Sequence, residues 1–176
     1  FNGDGYPDIA ITGESLTVIT ANGDDYRTTP TTLNVSFSQT YSVASGDLNG
    51  DGKPEIVVSG SGGGIDVFVN NGNGTFANAI HLSGPGISTS VSIADMNRDG
   101  KQDLITTAFE TQSLSIYTGN GDATFNPLIA ISLDADAYGF AVADLNEDQF
   151  LDLVVTNNDG TNSITLFKNN GDGSFS

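Results

Sequence analysis

An all-β chain of propeller blades, each a sheet of four antiparallel strands, is the fold class this sequence predicts, and three observations carry the expectation. A template of about 48 residues recurs four times in tandem. Each copy holds an Asp/Asn/Gly loop and, further on, a second Asn/Gly/Asp turn that ends in an aromatic residue. No segment shows a helical apolar period with caps.

The first landmark starts at Asp47 (DLNGDGKPEIVV), Asp95 (DMNRDGKQDLIT) and Asp144 (DLNEDQFLDLVV), at spacings of 48 and 49 residues. The opening FNGDGYPDIAI fits the same template without its first position, so the chain is expected to begin inside a motif; that Met96 is its single Met agrees with this. The second landmark ends at Tyr26, Phe76, Phe125 and Phe175, aromatics expected to plug their turns against the adjacent sheet. Together the landmarks divide residues 1–176 into units of approximately 1–40, 41–89, 90–137 and 138–176, one propeller domain or part of one. A sheet of short strands cannot bury its faces alone, so such units must stack.

Alternation and β-branched content place four strands in the second unit, over residues 42–45, 55–59, 65–70 and 77–82. The Asp-rich loop joins the first two, the Gly-rich segment 60–64 the second and third, and the NNGNGT turn the third and fourth. Residues 83–89 lead to the next unit. Apolar positions such as Ile56, Val58, Leu104, Leu153 and Val155 are expected to pack between neighbouring blades. The first unit lacks an inner strand and the last stops before an outer one, so further blades or self-association are expected to complete a ring.

In the pattern D-x-[DN]-x-D-G-x-x-[DE], side-chain oxygens recur at positions 1, 3, 5 and 9, and position 7 offers its carbonyl. Carboxylates on alternate residues of a sharply bent loop point inward together, which suits Ca²⁺ with its six to eight oxygen ligands at roughly 2.3–2.6 Å. The second loop offers Asp47, Asn49, Asp51, the carbonyl of Lys53, and Glu55. The third offers Asp95, Asn97, Asp99, the carbonyl of Lys101, and Asp103. The fourth offers Asp144, Asn146, Asp148, the carbonyl of Phe150, and Asp152, with Gln149 where the pattern bends through glycine. The first retains Asn2, Asp4, the carbonyl of Tyr6, and Asp8. Such residues also favour plain turns. Crowded carboxylates repel, however, and only Lys53 and Arg98 are placed to offset them. Mg²⁺ is disfavoured because it wants rigid octahedral sites, and an EF-hand because the flanks are strands and no Glu stands at position 12.

The formal charge is −17, from 22 acidic and 5 basic side chains, so nucleic acid and anionic membrane surfaces are not expected partners. There is no Cys, and no apolar run approaches the roughly 20 residues that span a bilayer. His81 is the single histidine, expected in an outer strand as a surface or packing residue. With no G-x-S-x-G elbow either, an enzyme is not expected.

DLNGDGKPEIVVSG followed by NNGNGTF resembles the FG-GAP/VCBS repeat family, whose repeats also build the integrin α-subunit head, and the resemblance covers essentially the whole chain. It implies a propeller, usually of about seven blades, with calcium loops between the innermost strand and the next, all facing one side. A non-catalytic, calcium-stabilised module for adhesion or partner recognition is the function expected, outside the cell, where calcium is millimolar. Its protein or glycan ligand is expected on the face opposite the loops, at 60–64, 109–113, 157–163, 83–89 and 134–138. A lectin is the alternative; the chain has no Trp, but Tyr41, Tyr117 and Tyr138 offer stacking surfaces.

Overall fold

The computed structural model describes residues 1–176 except 24, 27, 28, 161, 162 and 172. Its strands are β1 (Ile9–Ile11), β2 (Leu16–Ile19), β3 (Thr31–Leu33), β4 (Thr40–Gly46), β5 (Glu55–Gly60), β6 (Ile65–Phe68) and β7 (Ile80–Leu82), followed by β8 (Val91–Ala94), β9 (Asp103–Ala108), β10 (Ser113–Tyr117), β11 (Ile129–Ser132), β12 (Ala137–Ala143), β13 (Asp152–Asn157) and β14 (Ile164–Phe167). They form four antiparallel sheets in meander order, β1-β2-β3, β4-β5-β6-β7, β8-β9-β10-β11 and β12-β13-β14. Among the described residues no helix is long and apolar enough to cross a membrane.

The sheets are the expected blades, standing as an open series rather than a closed ring, with three strands at each end of the series and four in the middle two. The expected boundaries need correction in the outer half of the blade. The third strand ends at Phe68 and the fourth begins only at Ile80. Between them Asn70 and Phe76 form an isolated bridge, and Ala77 donates its amide to Val69 across the turn, so the chain reaches the outer edge through a turn rather than a longer ladder.

Three cores lie between successive blades, each from alternate residues of facing strands. Leu16 and Val18 meet Ile56 and Val58. Ile65 and Val67 meet Leu104. Leu114 and Ile116 meet Leu153 and Val155. The same register positions recur each time: Ile56, Leu104 and Leu153 of the second strands look back to the preceding blade and Leu16, Ile65 and Leu114 of the third strands look forward, while the alternate residues Val57, Ile105 and Phe68 face the other way. The turn aromatics lie in these cores as well, Phe76 edge-on to Phe1 at 5.5 Å between ring centres, Phe125 with Leu48, and Phe175 with Met96. Tyr26 departs from the expectation. It is 42% exposed, with its hydroxyl donated to the carbonyl of Pro7.

Antiparallel order puts the β4–β5 and β8–β9 loops on one face of the array together with the Asx turns at 70–76 and 119–125, and puts the β5–β6 and β9–β10 loops on the other. Side chains confirm the first grouping. The Lys53 stem lies over Gly72 and the Phe150 ring over Gly171, so close that a Cβ on those glycines would collide with them, and the Lys101 stem lies over Gly121 at a looser distance.

Candidate metal loops

In all four loops each side chain at positions 3 and 5 accepts the amide two residues on. Asn49 takes Asp51 N–H at 2.9 Å and Asp51 takes Lys53 N–H at 2.9 Å. Asn97 and Asp99 repeat this at 3.0 and 2.9 Å, Asn146 and Asp148 at 2.9 and 3.0 Å, and Asn2 and Asp4 at 3.1 and 2.9 Å. The position-1 carboxylate reaches across the loop to the amide of position 6: Asp47 to Gly52, Asp95 to Gly100 and Asp144 to Gln149, at 2.8–2.9 Å. This ladder of Asx turns is what alternate Asp and Asn residues fold into locally.

The bend requires positive φ twice, at positions 4 and 6. Glycine provides it at Gly50 and Gly52. Gln149 takes position 6 at φ 73°, so the fourth loop follows the common path in spite of the missing glycine. Arg98 and Glu147 take position 4 at φ 58° and 63°, a demand that reading position 6 alone does not reveal.

Position 9 stands apart from the others. Glu55, Asp103 and Asp152 are buried at the start of their strands and clamp two backbone segments each. Asp103 accepts Met96 N–H and Gly119 N–H, both at 2.9 Å, and Asp152 accepts Leu145 N–H and Asn169 N–H. Glu55 accepts Leu48 N–H at 2.8 Å and Asn70 N–H at 3.3 Å. Asp8 likewise takes Ala21 N–H and Asn2 N–H. The clamp locks the loop to the turn beyond the third strand.

Burial pushes the Glu55 carboxyl above the usual range against its amide bonds, and the charges of Asp51 and Asp47 add to that push. Asp103 is raised in the same way, by burial and then by Asp99 and Asp95. Asp47, half-buried at the mouth of its loop, is held low, chiefly by the Gly52 amide. The Phe150 amide does the same for Asp148. Lys53 stands 3.4 Å from Asp51, and Lys168 3.4 Å from Asp148.

Among the described residues no three acidic, His or Cys side chains are gathered as a ready ligand cluster; the loop carboxylates face amides instead. The donor set still fits a hard divalent cation. Each carboxylate oxygen holding one N–H keeps a second lone pair, the oxygens of positions 1, 3 and 5 sit on one short bend, and the neighbouring negative charge that adds to the effect of burial on Glu55 and Asp103 is what a cation would offset.

Other features were not legible from the pattern. His81 is more than a surface residue: its Nδ1 lies 2.8 Å from the fully buried carboxylate of Asp66, whose other oxygen accepts Ser36 N–H at 2.6 Å. Tyr117 is no open platform, being buried with its hydroxyl donated to Ser83 O at 2.9 Å. Tyr41 and Tyr138 are open, each at a register shift near the start of an inner strand, on the face opposite the loops. The bulge turns each ring outward. The Tyr138 ring stacks on Phe109 at 5.0 Å, beside the 109–113 loop. Of the expected 157–163 loop, Thr161 and Asn162 lie outside the described residues.

Residues 1–58, 47–106 and 95–155 each match the sequence model of the FG-GAP-like repeat. No curated protein sequence matches the chain. Among solved structures, a lectin of Agrocybe aegerita, reported for specific recognition of non-reducing terminal N-acetylglucosamine, superposes with a TM-score of 0.63 at 21% identity over 99% of this chain and 48% of its own. The chain therefore spans about half the length of that lectin and shares its fold. BBS1N in complex with ARL6DN gives a TM-score of 0.47 at 10% identity, over 86% of this chain and 59% of its own.

Proposed function

Because the chain belongs to the FG-GAP-like repeat family, we propose that it is a non-catalytic, calcium-stabilised binding module that works outside the cell and presents a recognition surface on the face away from its loops. The loop ladder carries this reading. One arrangement of oxygens at positions 3 and 5 recurs four times in a chain of net charge −17, joined in three of the loops by the position-1 carboxylate of Asp47, Asp95 or Asp144, with a buried carboxylate behind each ladder. Bound calcium would supply charge neutralisation and a rigid cross-link within each loop. The protein's part is to preset the bend through positive φ and to hold the loop on its blade through the position-9 clamp.

Sites of this open kind suit the 10⁻⁴–10⁻³ M dissociation constants of extracellular calcium modules. Calorimetric titration with CaCl₂ should give saturable binding in that range, lost at the third site in Asp99→Ala while the other loops titrate as before. No binding heat at millimolar calcium would remove the reading.

The ligand surface is assigned to the opposite face on the strength of Tyr41 and Tyr138, exposed aromatic rings at equivalent bulges. A protein partner is the first reading. A glycan is the second, favoured by the same two rings, since a flat exposed ring is a stacking platform for a sugar. An array of immobilised glycans, probed with the native chain and with Tyr41→Ala/Tyr138→Ala, separates them. Binding that requires both rings supports the glycan, and an empty array leaves the protein partner.

A further inference from the structure

We propose that Asn73 is a self-modifying site, at which the folded turn converts the side-chain amide to a carboxylate with loss of ammonia. The reaction needs only water. The Gly74 nitrogen gives its proton to solvent base and bonds to the Asn73 Cγ; the Cγ–Nδ2 bond breaks, and ammonia leaves with a proton taken from water. Water then opens the resulting cyclic imide. Entry at Cγ gives aspartate on an unchanged backbone, and entry at the main-chain carbonyl gives an isoaspartyl link.

An Asn–Gly pair favours this attack because glycine has no side chain to shield its nitrogen, and the chain holds seven such pairs. The structure sets one apart. At Asn73 the side-chain oxygen accepts both the N–H of Thr75 at 3.1 Å and its hydroxyl at 2.6 Å, and Asn71 Nδ2 holds that hydroxyl in place at 2.9 Å. Among the described residues the Gly74 amide and the exposed Asn73 Nδ2 donate to no group, so nucleophile and leaving group are both free. Elsewhere one condition fails. Gly50, Gly72 and Gly171 give their amides to Asp47, Asn70 and Asn169 at 2.7–2.9 Å. Asn2 and Asn120 commit Nδ2 to Ala21 O and Thr124 Oγ1. Asn22 has no donor on its side-chain oxygen among the described residues.

The equivalent turn of the next blade shows what the donor pair holds. Asp122 stands in the place of Asn73, accepts the Thr124 hydroxyl at 2.5 Å and amide at 3.0 Å, and is held below the usual carboxylate range chiefly by them. Such a pair stabilises negative charge on the oxygen it grips, in the oxyanion formed by attack as in the final carboxylate. The sequence itself writes aspartate at this place in both later turns, Asp122 and Asp172. Because the donors polarise the Cγ carbonyl rather than the main-chain one, water enters at Cγ and aspartate is the main product. An isoaspartyl link would instead lengthen the backbone at Gly74, where even an added Cβ would touch Thr20 and Asn2 of the neighbouring blade.

The test is mass mapping of proteolytic fragments of the 176-residue chain after incubation at mildly alkaline pH, folded and in urea. In the folded chain Asn73 should exchange NH₂ for OH ahead of the other six pairs, mainly as aspartate; in urea the seven should convert at similar rates, mainly to isoaspartate. Thr75→Val removes the hydroxyl at nearly constant shape and should slow the folded-state conversion by roughly three- to tenfold, as the loss of one hydrogen bond implies, with the rate in urea unchanged. Thr75→Ser keeps the hydroxyl and should keep the native rate. Conversion of Asn73 no faster than that of the other pairs in the folded chain overturns the proposal. So does isoaspartate predominating there as it does in urea, or Thr75→Val converting as fast as the native chain.

Discussion

Asp103 and the Asp99 beside it belong to one loop but perform different work, and substitution should separate them. Asp99 is exposed and orders only the loop tip, so Asp99→Ala is expected to change metal-free stability by less than about 0.5 kcal/mol. Asp103 satisfies the Met96 and Gly119 amides in a buried setting, and each donor left without an acceptor costs about 1–3 kcal/mol. Asp103→Ala should therefore destabilise by about 2–4 kcal/mol even in EDTA, read as the urea midpoint; equal losses for the two variants would mean that position 9 acts only through the metal. Gln149 is the converse case, a residue whose removal should help. At φ 73° it bears the left-handed cost of about 1–2 kcal/mol, partly offset by the 0.5–1 kcal/mol by which glycine favours the unfolded chain. Its side chain accepts one exposed bond from Arg98 at 3.3 Å, worth a few tenths. The net expectation for Gln149→Gly is a gain of about 0.5 kcal/mol in thermal unfolding. A lower melting temperature would show that the Arg98 contact outweighs the strain.

Strands and turns carry the next level, and Tyr117 at the end of β10 shows how a blade is tied to its neighbour. Burial pushes its phenol to about 12, with the hydroxyl given to Ser83 O. Between the ordinary value near 10 and about 12 the folded chain keeps a proton that the unfolded chain gives up, so stability must fall as pH rises through that window, by about 2–3 kcal/mol in all. Tyr117→Phe should lose about 1 kcal/mol at neutral pH, for the hydrogen bond, and show a flatter decline above pH 10. Urea midpoints measured against pH check this, and parallel declines would place the alkaline loss elsewhere. At this scale the sequence was most legible. The blades, their second strands and all the ladder positions follow from the period, because apolar alternation and Asx spacing act locally. What it hid depends on neighbours. Ile9 and Ile56 are the same letter at the same register, yet one is exposed and the other buried, because only one has a blade beside it. The bulges that expose Tyr41 and Tyr138 are set by how two strands pair, and the Asp66–His81 contact by a cross-strand register. Arg98 and Glu147 at positive φ obey the path of the loop against their own preference.

For the molecule as a whole the governing quantity is the charge of −17, which opposes the compact state and is offset by salt or by bound cations in measurably different ways. Raising NaCl from about 0.01 to 0.15 M shortens the screening length from roughly 30 to 8 Å, so melting temperature should rise with any salt. Screening takes no account of ion identity beyond valence. Site binding does, since a cation that binds only the folded chain adds RT ln(1 + [L]/Kd), about 1.4 kcal/mol for each site at tenfold saturation. For a chain of this length 1 kcal/mol corresponds to about 2–4 °C, so three or four filled loops should add on the order of 10 °C beyond screening. The measurement is a set of melting curves at equal ionic strength in NaCl, MgCl₂ and CaCl₂. Calcium should lie well above the other two, and its advantage should vanish on adding EDTA. Coincident curves in CaCl₂ and MgCl₂ would reduce the effect to general divalent attraction, and coincidence with NaCl would leave the Asx ladders as turns that need no ion.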